Sequence, residues 1–388
     1  MNPADYLDPS DALPFSGGVR KESSTLVNIT PFKYGKAFPE FNQGDIIIIG
    51  APENRNSTNS GASKSPDIIR SYFYSLASFP SLKAKIVDAG NLKSTKTPAD
   101  SYSAIKDLVD FFLSKKTTLV ILGGTQEISL AIYQAILIHR KNIGISFVDS
   151  HLDMGANDGD FSATSYIQKF IDEPLKNLFN ISLVGYQGYL VDSKQIDHIS
   201  NLNHEVLRLG FVRGNFREVE STFRDSDFVS FDLGVIRNSD CPGNVYPSPN
   251  GLYAEEACQL SRYSGLSDKT CCFGLFEYNP ELDASAQSAH LSAQLVWHFI
   301  EAYSQRKGEF PNNNVDFKKF IVNSGTPGIE MVFYKSMITD NWWMEIPTSN
   351  VTLFPKGSVI IACSYNDYVT ASKQELPERW IRVYNKVL

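Results

Sequence analysis

Three side chains able to hold a metal stand at alternate positions in Phe147-Val148-Asp149-Ser150-His151-Leu152-Asp153. The mainly apolar run before them, Ile143 to Val148, reads as a buried β-strand. Side chains on an extended chain alternate between faces, so Asp149, His151 and Asp153 are expected to point the same way. Two carboxylates and an imidazole converging at a strand end suit a divalent cation such as Mn2+, Zn2+ or Fe2+. The same residues serve equally well as an acidic turn whose His only makes a hydrogen bond. The motif alone does not separate the two readings.

The elements that would position these residues alternate between strand and helix. Asp45 to Gly50, Lys85 to Asp88 and Thr117 to Leu122 read as strands, as do Ile181 to Gly185, Phe228 to Asp232 and Cys272 to Glu277. Between them fall helical stretches, from Pro66 through Tyr74, Ala99 to Ser114, Asn215 to Arg224, Tyr253 to Tyr263 and Ala284 to Tyr303. Such alternation predicts parallel βαβ units in a sheet covered on both faces. Ligands gather at the carboxyl ends of such strands, where Gln126, Asp149, Asp232 and Glu277 all stand. The expected organisation is an N-terminal arm over residues 1–43, a main α/β/α domain over 44–305 and a C-terminal extension over 306–388. In the extension, Glu330 to Tyr334 and Gly357 to Cys363 read as short strands. Trp342-Trp343 reads as an apolar anchor.

The totals exclude several classes. The 388 residues carry a formal net charge of −7, which argues against nucleic acid or an anionic membrane as a partner. Five cysteines, with no Cys-x-x-Cys pair, argue against a disulfide framework and a thiolate zinc site. No secretory signal pattern opens the sequence and no apolar run reaches membrane-spanning length, so a cytoplasmic location is expected.

The order of strand ends resembles the ureohydrolases: arginase, agmatinase and formimidoylglutamase. The landmarks are Gly50-Ala51-Pro52, Gly61-Ala62 with Pro66 and Arg70, Asp88-Ala89-Gly90, Gly123-Gly124, Asp149 to Asp153, Ser230-Phe231-Asp232 and Glu277-Tyr278-Asn279-Pro280. They run from about Asp45 to Tyr303. The resemblance implies a three-layer α/β/α arginase-like domain with a mainly parallel sheet. It also implies hydrolysis of an amidine or guanidinium C–N bond at a pair of Mn2+ ions, with a small amidine or guanidino compound as substrate and a homo-oligomer as the assembly. Asp149 and Asp232 would then bridge the ions, Asp153 would serve the first and His151 the second. Glu277 would face the substrate cation, because a carboxylate accepts paired N–H bonds from a planar amidinium.

The sequence departs from the family pattern at two ligands. Gln126 stands where the family has His, and Gly234 where it has a second Asp. An amide oxygen is a poorer ligand than imidazole for a transition metal, and Gly234 offers no side chain. No His follows His151 within the stretch from Gly155 to Phe170, so a proton-shuttling His has no counterpart there. The remaining set of Asp149, His151, Asp153, Asp232 and Gln126 suits one weakly held Mn2+ or none. Two functions follow. One is a degraded dimetal site, inactive or weakly active and kept for binding or assembly. The other is a metal-dependent amidine hydrolase like formimidoylglutamase. The degraded site takes precedence because rearranged chemistry needs a compensating ligand, and none is visible.

Overall fold

Four consecutive isoleucines form an interior strand of the main sheet. The computed structural model describes residues 1–16, 26–155, 161–172, 178–311, 316–325 and 330–388. Parts of the expected arm (17–25), of the stretch after Gly155 (156–160) and of the expected extension (312–315 and 326–329) lie outside the described residues. In strand β3 (Ile46–Gly50), Ile47 and Ile49 enter one apolar core while Ile46 and Ile48 enter another. A strand apolar on both faces must be covered on both.

Nine further strands join it: β1 (Leu7–Asp8), β2 (Ile29–Pro31), β4 (Ile86–Leu92), β5 (Thr118–Leu122), β6 (Ile143–Val148), β7 (Leu178–Tyr186), β8 (Glu205–Arg208), β9 (Phe228–Asp232) and β10 (Cys272–Phe276). Their order is β1-β4-β3-β5-β10-β9-β6-β7-β8, with β2 also on β4. Every pairing is parallel except β1 with β4. Helices α2 (Pro98–Ser114), α3 (Ser129–His139), α4 (Tyr166–Asp172) and α5 (Ser193–Asn201) cover one face. The other face is covered by α1 (Ser65–Phe73), α6 (Leu209–Gly214), α7 (Phe216–Arg224), α8 (Ala254–Leu266) and α9 (Gln287–Tyr303). This is the expected three-layer architecture with a mainly parallel sheet. The N-terminal residues do more than wrap it, because β1 and β2 are strands of the sheet itself. No helix among the described residues is long and apolar enough to cross a membrane.

The C-terminal segment builds a second sheet. Its strands β11 (Phe317–Asn323), β12 (Glu330–Ser336), β13 (Trp342–Pro347) and β14 (Ser358–Cys363) pair antiparallel in sequence order, two more than the sequence suggested. Helices α10 (Tyr365–Ser372) and α11 (Glu378–Val387) complete it around a core that includes Met344 and Trp380. Trp342 and Trp343 are buried, and the Arg224 guanidinium stacks 4.5 Å from the Trp343 ring.

Charged groups fasten this segment to the main sheet. Buried Glu205 Oε1 accepts from Arg382 at 2.7 Å and pairs with Arg379 at 3.0 Å. Lys386 Nζ donates to the Phe179 carbonyl at 2.9 Å. Burial opposes ionisation of Glu205, yet the two guanidiniums outweigh it and hold the carboxyl down at about 2. Burial lowers the neighbouring His204 to about 3, assisted by Lys386 and Arg382.

Both groups titrate below their ordinary values of 4.5 and 6.5, so the stability linked to them is complete above those values. It is lost as pH falls through the folded-state values. Fluorescence of Trp342, Trp343 and Trp380 is therefore expected to report loosening of the extension between pH 6.5 and 2. A flat profile would contradict the pairing. Glu205→Gln leaves two guanidiniums partly buried without a carboxylate and is expected to cost about 3–5 kcal/mol in urea unfolding.

Candidate metal centre

Asp149 and Glu277 directly follow β6 and β10, and Asp232 is the last residue of β9; the three strands are neighbours in the sheet. Parallel strands lie about 4.8 Å apart, so three successive strand ends deliver three carboxylates to one place. Asp149 is buried. Its N–H still donates to the Val184 carbonyl at 3.0 Å, which extends the ladder one residue past β6. The chain then turns. Asp149 Oδ1 accepts from the His151 N–H at 2.9 Å, and Asp153 adopts a left-handed φ of 40°. The extended alternation expected for Asp149, His151 and Asp153 is thus replaced by a turn, because pairing with β7 ends there.

That turn brings Asp153 back to Asp149 and leaves His151 aside. Among the described residues, Asp149, Asp153 and Asp232 place carboxylate oxygens within 4.8 Å of one another. His151 does not join this group. Its Nδ1 lies 2.9 Å from Ser150 Oγ, and its ring centre lies 6.0 Å from that of Tyr246. A cavity of about 320 Å3 opens above, lined by His151, Asp153, Asp232, Asn244, Tyr246 and Glu277 among others.

Glu277 is held at both oxygens. Oε1 accepts from the Gln126 N–H at 2.8 Å and Oε2 from Asn59 Nδ2 at 2.9 Å. Its φ of 66° is unusual for a residue with a side chain, and such strain persists where surrounding contacts enforce it. Here its N–H donates to the Gly124 carbonyl at 3.0 Å. Gly124 itself requires glycine, since a Cβ there would stand 2.2 Å from the Ala51 carbonyl oxygen at a φ of 76°.

Gln126 and Gly234, where the resemblance implies other residues, have defined surroundings. Gln126 is buried, and its Nε2 donates to Ser230 Oγ at 3.0 Å, while Oε1 has no partner. A Cβ at Gly234 would stand 2.7 Å from Asn244 Nδ2 and 3.0 Å from Asp232 Oδ1. Asn244 thus crowds the face from which a side chain at 234 would extend. The Gly234 N–H donates to Asp232 Oδ1 at 2.6 Å, occupying one carboxylate oxygen.

Burial raises the Asp149, Asp153 and Asp232 carboxyls well above the usual range, and the neighbouring carboxylates add to it. Burial also raises Glu277, partly offset by its bonds from Asn59 and Gln126. No Lys or Arg among the described residues pairs with any of the four. Asp149 Oδ2 is buried with no hydrogen-bond partner. Buried anionic oxygens without compensation are satisfied by protons or by a cation.

Three nearby groups carried no signal in the sequence reading. Glu127 is buried, accepts from Thr125 Oγ1 at 2.9 Å and is pushed up to about 8, first by burial and then by Glu277. Tyr166 carries a buried hydroxyl with no partner. Asn244 fills space beside Gly234. Only Glu127 was open to inference, as an acidic residue directly after Gln126.

A model of the arginase family matches residues 44–301. Formimidoylglutamase of Staphylococcus aureus (strain bovine RF122 / ET3-1) is 27% identical over 257 residues, 63% of this chain and 81% of that protein. Formimidoylglutamase of Staphylococcus haemolyticus (strain JCSC1435) is 25% identical over 253 residues, with the same coverage of 63% and 81%. A crystal structure of Trypanosoma cruzi formiminoglutamase with Mn2+2 matches with a TM-score of 0.63 and 23% identity, covering 68% of this chain and 95% of that one. Formimidoylglutamase from Bacillus subtilis matches with a TM-score of 0.63 and 19% identity, covering 76% and 97%. At these identities the structural likeness is one of fold.

Mutual repulsion in the carboxylate cluster makes a stability prediction. Asp232→Asn keeps an acceptor for the Gly234 N–H but removes a buried charge. In EDTA it is expected to stabilise the protein by roughly 1 kcal/mol, a few degrees at most in melting temperature. It is also expected to abolish any stabilisation by Mn2+. A lower melting temperature in EDTA would show that the cluster is not under repulsive load.

Proposed function

This chain belongs to the arginase family, and we propose on that premise that its site binds one divalent cation and has lost all but residual amidine hydrolysis. One observation carries the reading. The two positions that depart from the family's ligand set are closed to strong donors, because Gln126 Nε2 is engaged by Ser230 and Asn244 crowds the face of Gly234.

The residues present fit a single ion. Asp149, Asp153 and Asp232 would hold it, and their hard oxygens suit Mn2+ or Mg2+. The unpartnered Asp149 Oδ2 is the acceptor such an ion would satisfy. A cation bound there would supply Lewis-acid activation of water. A second ion lacks support, since Gly234 contributes nothing and His151 lies outside the cluster.

The chain's own residues are suited to binding a small planar cation. Glu277 is fixed by Asn59 and the Gln126 N–H, and each of its oxygens keeps a lone pair for an amidinium N–H. Tyr246 and His151 line the approach. Binding of an amidine or guanidino compound without efficient turnover fits this arrangement.

A working formimidoyl-glutamate hydrolase is the second reading. It is favoured by relatives named formimidoylglutamase, which align over 81% of their length. Assay of formimidoyl-glutamate, agmatine and arginine with Mn2+ separates the two. The expected result is at most a trace of amine product above the level given by Asp149→Asn. Rapid turnover that Asp149→Asn abolishes would overturn the proposal. The triple variant Gln126→His, Gly234→Asp, Asn244→Ala restores both donors and clears their space, and it is expected to gain hydrolysis of at least one substrate. No gain in either bound Mn2+ or turnover would count against the ligand assignment.

A further inference from the structure

A second cavity lies at the opposite edge of the main sheet. Strands β6 to β9 are parallel, so their first residues share the edge away from Asp149 and Asp232. There β14 and α11 close over the sheet and leave a cavity of about 370 Å3. It shares no lining residue with the carboxylate site. Its volume is that of small-molecule sites, which form preferentially where two packed units meet.

The walls are apolar and come from both units. Ile145 and Phe179 belong to the main sheet, while Phe354, Val359, Ile361 and Val383 belong to the C-terminal segment. The charged lining is unbalanced. Lys141, Lys269, Lys356, Arg379 and Arg382 outnumber the lining acids Glu205 and Asp225 in a chain whose net charge is −7, and of these cations Lys269 is paired outside the lining, with Asp227 at 3.2 Å. At the deep end, Glu205 Oε1 serves both Arg379 and Arg382, so one carboxylate neutralises two guanidiniums. Glu205 Oε2 accepts from Ser182 Oγ at 2.8 Å and does not add a partner for either. Arg382 Nε is buried with no acceptor. A buried donor without an acceptor, on an under-neutralised guanidinium, beside an apolar cavity, fits an anionic head group.

We infer that this cavity binds a small organic carboxylate with an apolar body. The carboxylate meets Arg382 and Arg379, and the body lies against Phe179, Phe354 and Ile361. The site exists only because the extension docks here, and it depends neither on metal nor on the proposed loss of hydrolysis.

Decanoate titrated calorimetrically into the full chain tests this, with EDTA present so that the carboxylate cluster holds no cation. One saturable site per chain is expected, with decanol binding about tenfold more weakly or worse. Val359→Trp fills the cavity without touching a charge, and Lys356→Glu reverses an exposed rim charge. Each is expected to weaken decanoate about tenfold while leaving the circular dichroism spectrum unchanged. Absence of saturable binding, equal affinity for decanol, or wild-type affinity in folded Val359→Trp would each overturn the proposal.

Discussion

Repulsion among buried carboxylates is the constraint on which the rest of this structure depends. Three oxygens of Asp149, Asp153 and Asp232 lie within 4.8 Å, and Glu277 adds a fourth acid, with no cationic side chain paired to any of them among the described residues. Such a cluster exists only where the scaffold forces it. The scaffold is the adjacency of β10, β9 and β6, each packed between two apolar layers. Burial and mutual repulsion raise these carboxyls and so favour their binding of protons. Cation binding would displace those protons, so affinity and acidity are linked through the same oxygens.

Neutral polar groups surround the cluster at Gln126 and Asn244. Gln126 joins a buried hydroxyl chain through Ser230 to Ser129, with 2.8 Å between the two hydroxyls. Asn244 is buried beside Gly234, and its side-chain oxygen accepts from the Tyr246 N–H at 2.7 Å. Within these contacts, Gln126 Oε1 is the atom left buried without a partner. Three carboxylates held this close favour a bound cation, because removing it exposes their repulsion.

Much of this was legible in the sequence, for a physical reason. Asp149, Asp232 and Glu277 each close a buried apolar run, and parallel strands have their carboxyl ends on one edge. Gln126 was legible by its place after Gly123-Gly124, a turn that a Cβ would block. The arrival of Asp153 beside Asp149 was not, since it rests on a left-handed residue that is not glycine, and such a turn leaves no pattern. The separation of His151 followed from the same turn. Asn244 was hidden because it reaches Gly234 through tertiary packing across ten residues of chain. Strands β1 and β2 are too short to show periodicity. In β11, Lys318 and Lys319 side by side break the alternation that would have marked a strand.

The C-terminal segment lies beyond the family's matched span, yet it is tied to the main domain by Glu205 of β8 and by Arg224 of α7. Its sheet and helices close the edge of the sheet remote from the carboxylate cluster, where Arg379, Arg382 and Lys269 gather with Glu205 and Asp227. The most direct test of the central claim is the number of Mn2+ ions the unmodified chain holds at saturation, read by equilibrium dialysis with elemental analysis. One ion per chain, lost in Asp149→Asn, is the predicted result. Two ions per chain, both lost in that variant, would contradict it.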